Sequence, residues 1–97
     1  MLKSTLVSIA LLAVAPLVAA DNCTPGLRYC GSTLLKKGKY TDQINQALMV
    51  AGQATDYNHI QYSLFDCLGG SSGAIKYITW CGGSCKDNGS GKSDACS

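Results

Sequence analysis

Acid–base and nucleophilic chemistry have few candidate residues in this chain. There is a single histidine, His59, and a single arginine, Arg28, and every acidic residue is an aspartate. General acid–base catalysis requires two positioned groups that exchange protons near the working pH, and no motif places an aspartate beside His59. A Ser-His-Asp triad also lacks any local signature. The sequence therefore predicts no catalytic residues, and His59 is interpreted as an exposed loop histidine.

Motifs for phosphate, metal and redox chemistry are incomplete. The run Gly89–Ser93 resembles the end of a P-loop, but Lys86 stands where the pattern requires its first glycine. Asp87 and Asp94 do not fall at the oxygen spacing of an EF-hand loop. The stretch Cys81–Cys85 lacks the C-x-x-C spacing of redox pairs. We predict no metal site and no cofactor.

The basic residues form one cluster, made of Lys36, Lys37 and Lys39. It is either a binding patch for an acidic partner or an anionic membrane, or a solvated loop before a helix. A formal net charge of only +2 and a single arginine argue against nucleic acid as the partner. The aromatic residues Trp80, Tyr77 and Tyr62 would form either a platform for a sugar or part of the core.

The N-terminal stretch has the anatomy of a secretory signal peptide. Lys3 precedes an apolar run from Leu6 to Val18, and small residues end at Ala20. The run is too short to span a bilayer. We therefore expect residues 1–20 to be a signal peptide, residues 21–97 to be a single domain, and the protein to be secreted and extracellular.

All cysteines of the chain follow that stretch. In a short secreted domain, an even number of cysteines predicts disulfides, which such a small core needs for stability. The count alone leaves the connectivity open. The connectivity that we favour has one bond within the tail, Cys85–Cys96. Two further bonds, Cys23–Cys67 and Cys30–Cys81, would join the first strand to the later hairpin.

The clearest predicted element is an amphipathic helix over residues 41–52. Thr41 is the expected N-cap and Gly52 the expected C-cap. Between them Ile44, Leu48 and two alanines recur at helical spacing on one face. This stripe predicts a helix that packs on another layer, with Leu48 in the core.

The remaining chain is predicted to form strands and loops. Residues 60–67 and 74–81 are rich in β-branched and aromatic residues, which favours strands, and Tyr29 and Cys30 favour a strand over residues 27–32. Residues 36–39 and 53–59 are expected to be polar connections, residues 69–73 a hairpin turn, and the chain after Cys81 a loop-like tail. The predicted fold class is α+β, with the helix packed on one face of a three- to four-stranded antiparallel sheet.

Several runs of cysteines, glycines and core residues resemble those of a known group of proteins. The runs are Cys23–Leu35, Gly38–Tyr40, Ser63–Cys67, Gly73–Ile75 and Asp87–Cys96. Together they resemble small cysteine-rich proteins secreted by plant-associated fungi, including biotrophy-associated secreted proteins. The resemblance implies a fold similar to the killer toxins encoded by smut-fungus viruses, although no second helix is evident between Cys81 and Cys96. It implies no catalytic residue.

These observations favour a secreted, non-enzymatic effector-like protein that binds an unknown host or extracellular protein or glycan. The expected protein is a virulence-associated monomer that does not insert stably into membranes. The alternatives are a membrane-active killer or antimicrobial toxin, a protease inhibitor that uses Arg28, or a small secreted hydrolase. Asn88-Gly-Ser90 is the glycosylation acceptor that we favour over Asn22-Cys-Thr24.

Overall fold

The computed structural model describes residues 22–70 and 73–97. The predicted signal peptide and Asp21 lie outside the described residues, as do the two central residues of the predicted hairpin turn. In chain order the elements are β1 (Arg28–Cys30), α1 (Gly31–Lys37), α2 (Thr41–Val50), α3 (Tyr57–Tyr62), β2 (Ser63–Gly69), β3 (Ala74–Trp80), β4 (Cys85–Lys86) and β5 (Ala95–Cys96).

The main sheet is antiparallel with the strand order β1-β2-β3. Tyr29 in β1 lies opposite Phe65 in β2, which in turn lies opposite Tyr77 in β3. A second, two-stranded antiparallel sheet joins β4 to β5. The α+β fold class and the β2–β3 hairpin are confirmed. The tail is more ordered than predicted, because β4 and β5 pair within it, and no helix forms between Cys81 and Cys96.

Helix α2 packs against β3 and presents the predicted stripe to the core. Ile44 and Leu48 are completely buried. The predicted N-cap is wrong, because Tyr40 occupies that position and Thr41 is already helical. Burial of Tyr40 explains the difference. Its hydroxyl accepts a 2.8 Å hydrogen bond from the backbone N–H of Cys23, so packing sets where the helix begins.

Two short helices were not predicted. Helix α1 occupies the end of the predicted 27–32 strand and much of the 36–39 connection, and its buried Leu34 joins the core. Helix α3 occupies the end of the predicted 53–59 loop and the start of the predicted 60–67 strand. The Asp56 side chain caps it by accepting the backbone N–H of His59 at 2.8 Å. His59 is therefore a helical residue rather than a loop residue.

Three disulfides tie the domain together, but only one has the predicted pairing. Cys23–Cys67 is confirmed, whereas the other bonds are Cys30–Cys85 and Cys81–Cys96. Cys85 and Cys96 do lie opposite each other in the β4–β5 register, yet each is bonded to a cysteine outside that pair. The tail lies along β1, since the Asp94 N–H donates to the Arg28 carbonyl at 2.8 Å, and this brings β4 within reach of Cys30.

The core lies between α1, α2 and the main sheet. Its buried members are Cys23, Tyr29, Leu34, Tyr40, Ile44, Leu48, Phe65 and Cys67. Three disulfides around so small a core are typical of extracellular proteins. Within residues 22–70 and 73–97, no helix has the length and apolar character needed to cross a membrane.

Candidate partner-binding groove

The outer edge of β3 is open, whereas the outer edge of β1 is covered. The tail covers β1: the Arg28 N–H donates to Ser93 Oγ at 3.0 Å, and the Arg28 carbonyl accepts the N–H of Asp94. Strand β3 is last in the strand order, and no backbone hydrogen bond among the described residues joins its outer edge to another segment. An open edge presents N–H and C=O groups that can pair with another extended chain.

A groove of about 800 Å³ runs beside this edge, between α2 and β3. Its floor and walls are mostly apolar, with small side chains on the helix side. The lining residues are Asp42, Gln43, Gln46, Ala47, Val50 and Ala51 of the helical wall and Ala74, Ile75, Lys76 and Tyr77 of β3. Ala47 and Ala51 lie one turn apart, and their short side chains leave the space that a longer residue would occupy.

The exposed end of α2 extends the apolar surface of this groove. Val50 lines the groove and is 78% exposed, whereas Met49, which is 66% exposed, is not part of the lining. Contiguous exposed apolar surface on a small domain indicates an interaction site more often than isolated exposed side chains do. Asp42 and Lys76 add one carboxylate and one ammonium group to the groove. The site therefore combines apolar volume, a free strand edge and a charge of each sign.

His59 lies beside an aspartate, contrary to the prediction. Its Nδ1 is 2.7 Å from Asp56 Oδ1, and its ring stacks on Trp80 with centroids 4.3 Å apart. Hydrogen bonds from the backbone N–H of His59, and then from its ring, lower the pKa of the Asp56 carboxyl below its ordinary value. Among the described residues, no hydroxyl group is hydrogen-bonded to the His59 ring. The Ser63 hydroxyl is buried and has no hydrogen-bond partner among the described residues.

The aromatic residues considered as a sugar platform are divided between different environments. Tyr77 packs edge-on against Phe65 at the core, with ring centroids 6.2 Å apart. Trp80 has one face against His59, and its Nε1–H donates to Asn58 Oδ1 at 3.0 Å. Tyr62 is half-buried at the end of α3. The three rings therefore do not present one flat exposed face.

The predicted lysine patch lies on and just after α1. Lys36 and Lys37 are in the last turn of this helix, and Lys37 Nζ is 5.8 Å from the centroid of the Tyr29 ring. Lys39 is exposed in the connection to α2. Asn88 is also exposed, although its Nδ2–H donates to the Ser93 carbonyl at 3.0 Å.

Arg28, the candidate inhibitory residue, lies within β1 rather than on a protruding loop. Its backbone is paired with the tail on one side, and it lies opposite Asp66 of β2 on the other. Across the described part of the chain, no three His, Cys, Asp or Glu side chains converge in a way that would hold a metal ion.

The groove was not predicted from the sequence. The signal available was Val50, an apolar residue that lies off the buried stripe of α2 and is exposed. No protein-family model, curated protein or solved structure matches this chain.

Proposed function

We propose that this is a secreted, non-enzymatic binding protein that captures an extended segment of a partner protein along the open edge of β3. The observation that carries the proposal is the coincidence of that edge with the apolar groove under α2. The signal-like N-terminus and the disulfides support an extracellular place of action. The resemblance to fungal effector-like proteins supports a host protein as the partner.

An extended segment suits this site because one strand can satisfy both of its features. Its backbone would pair with the N–H and C=O groups of β3, and alternate side chains would enter the groove. The groove borders the stretch from Ala74 to Tyr77. A stretch of this length extends about 13 Å, so about two side chains of the added strand face the groove. The expected ligand is therefore a segment with apolar residues at alternate positions.

Selection from a peptide library tests this proposal, because it requires no named partner. The oxidised protein is immobilised and used to select binders from random peptides, and the affinity of enriched peptides is then measured. We expect enriched sequences with apolar residues at a period of two. Val50→Lys should weaken their binding by at least about tenfold, because it places a charge in an apolar groove.

Met49→Lys is the matched control, since Met49 is similarly exposed on the same helix but does not line the groove. It should leave the affinity of the selected peptides unchanged. Enriched peptides that bind the Val50→Lys protein equally well would refute the proposal. The proposal would also be refuted if the purified protein self-associated and Val50→Lys abolished that self-association. The occupant of the β3 edge would then be a second copy of this chain.

The non-enzymatic part of the proposal has a separate test. His59→Ala removes the one His–Asp pair among the described residues and should leave the binding of selected peptides intact. A folded His59→Ala protein should also keep its activity in a host assay. Loss of host activity with peptide binding retained would favour a hydrolase over a binding protein.

A further inference from the structure

A second cleft, of about 320 Å³, separates α1 from the loop that precedes β5. One wall carries Thr33, Lys36 and Lys37, which the spacing of three and four residues places on a single face of α1. The Thr33 hydroxyl is buried and has no hydrogen-bond partner among the described residues. This wall therefore presents two ammonium groups to the cleft.

The opposite wall is the loop that contains Gly89, Ser90 and Gly91. Both glycines have positive φ, +99° and +76°, a conformation that glycine adopts without strain. In the described chain, no acceptor is bonded to the backbone N–H groups of Ser90 and Gly91. Successive free N–H groups in a tight loop favour an anion.

Asp94 lines this cleft and fixes the loop in place. Its carboxylate is buried, with Oδ2 accepting the Cys30 N–H at 2.8 Å and Oδ1 accepting the Asn88 N–H at 3.1 Å. Asp87 is exposed at the rim, where its Oδ1 accepts the Gly89 N–H at 2.9 Å. The lining therefore carries two carboxylates, of which Asp94 is already hydrogen-bonded within the protein and Asp87 is exposed.

Most of the lysines in the chain lie in the segments that form this cleft. Those that line it or lie within two residues of its lining are Lys36, Lys37, Lys39, Lys86 and Lys92. Among the described residues, the lysine outside this set is Lys76, on β3. Arg28 is also near the tail, but its register partner across the sheet is Asp66. Folding thus brings the segment that contains Lys36 and Lys37 next to the Gly89–Gly91 loop, which Lys86 and Lys92 flank in sequence.

We propose that this cleft binds an anionic polysaccharide through carboxylate or sulfate groups on its sugars. Lys36 and Lys37 supply positive charge, the loop wall supplies the unpaired N–H groups of Ser90 and Gly91, and the hydroxyls of the exposed Thr24 and Ser90 suit the hydroxyls of a sugar. Lys39, Lys86 and Lys92 flank the lining residues in sequence and would offer contacts to further sugars, which favours a polymer over a free ion. This site uses residues separate from the groove beside β3, and the proposal does not depend on the function proposed for that groove.

Affinity electrophoresis of the oxidised protein in polygalacturonate, in dextran sulfate and in neutral dextran tests the proposal. We expect retardation in at least one charged polymer and none in dextran, and the charged polymer that retards the protein distinguishes carboxylate from sulfate recognition. Lys36→Gln with Lys37→Gln should weaken binding by at least about tenfold. Lys76→Gln, the matched loss of one lysine from β3, should have no effect. Binding should weaken as salt is added, because the lysines are at the surface.

A second variant tests the loop wall without removing a lysine. Ser90→Glu adds a carboxylate to the cleft and should abolish retardation while the circular dichroism spectrum stays unchanged, since Ser90 is exposed. The proposal would be overturned if Lys76→Gln weakened polysaccharide binding as much as the Lys36→Gln and Lys37→Gln pair does. It would also be overturned if single-stranded DNA bound as tightly as the charged polysaccharide. Val50→Lys should leave polysaccharide binding intact, so failure of this site and failure of the groove can be told apart.

Discussion

Replacing Gly31 by alanine perturbs the contact between the two helices that the sequence did not predict. Gly31 is the first residue of α1, and a Cβ added there would lie 1.7 Å from the backbone carbonyl oxygen of Ile60 in α3. Ordinary contact begins at 3.4 Å, so the two backbones would have to separate by about 1.7 Å. Because the clashing atom belongs to the backbone, rotation of a side chain cannot relieve it.

The expected effect is therefore opposite to that of an ordinary Gly→Ala change in a helix. Alanine would normally favour the helix by about 1 kcal/mol. Forced backbone shifts in a packed core cost about 1–3 kcal/mol, and a shift of this size belongs at or beyond the upper end. Each kcal/mol moves Tm by about 4–8 °C in a domain this small, so Gly31→Ala should lower Tm by at least about 10 °C.

Thermal unfolding followed by circular dichroism, without reductant, measures this change. Gly83→Ala is the matched control, because a Cβ at Gly83 would meet no atom within 4 Å and its φ is not positive. It should leave Tm unchanged or slightly raised. If Tm of the Gly31→Ala protein stayed within about 2 °C of the control, the close approach of α1 to α3 would be refuted.

Other substitutions test the core, the tail and the cap of α3. Leu48→Ala should lower the free energy of unfolding by about 2–5 kcal/mol because Leu48 is fully buried. Gln46 is exposed, so Gln46→Ala should change this free energy little. Equal losses for the two variants in denaturant titrations would contradict the buried face assigned to α2. Asp94→Ala should cost at least about 1–3 kcal/mol, since the buried N–H of Cys30 loses its acceptor; a chemical-denaturation midpoint equal to that of the parent would show that the carboxylate does not hold the tail. The pKa of the Asp56 carboxyl is lower in the folded protein than its ordinary value of 3.8. The ionised Asp56 side chain therefore stabilises the fold at pH values above 3.8, and this stabilisation is lost as pH falls through the folded pKa. Asp56→Asn retains a capping oxygen but cannot titrate. The difference in Tm between the parent and Asp56→Asn should therefore shrink below that pH. A difference that stays constant with pH would show that the Asp56 carboxylate does not stabilise the fold in this way.

The parts of the fold predicted from the sequence were those with a long, regular pattern. Helix α2 has a stripe that repeats over its whole length, and β3 is a continuous β-favouring run bounded by glycines. Helix α1 has about two turns and begins with glycine, so local propensity hardly distinguishes it from a strand and a connection. Helix α3 is equally short, although Asp56 was a usable N-cap signal.

Disulfide pairing and the candidate site depend on contacts between distant segments. Cys30 meets Cys85 because the tail lies along β1, and the buried Asp94 that holds it there gives no local signal in the sequence. The groove likewise depends on which strand is left at the edge of the sheet. The lysine cluster was visible in the sequence, but its position facing the Gly89–Gly91 loop was not.

The way the disulfides overlap along the chain has a consequence for proteolysis. The loop closed by Cys30–Cys85 begins inside that of Cys23–Cys67 and ends inside that of Cys81–Cys96. Every peptide bond between Cys23 and Cys96 is therefore spanned by at least one bridge. A single protease cut anywhere in this stretch, including the exposed Gly89–Gly91 loop, therefore releases no fragment. The protein gains only the mass of the one water molecule that hydrolysis adds. In a protease-rich extracellular fluid, the nicked domain would remain one covalent particle until a reductant separated its pieces.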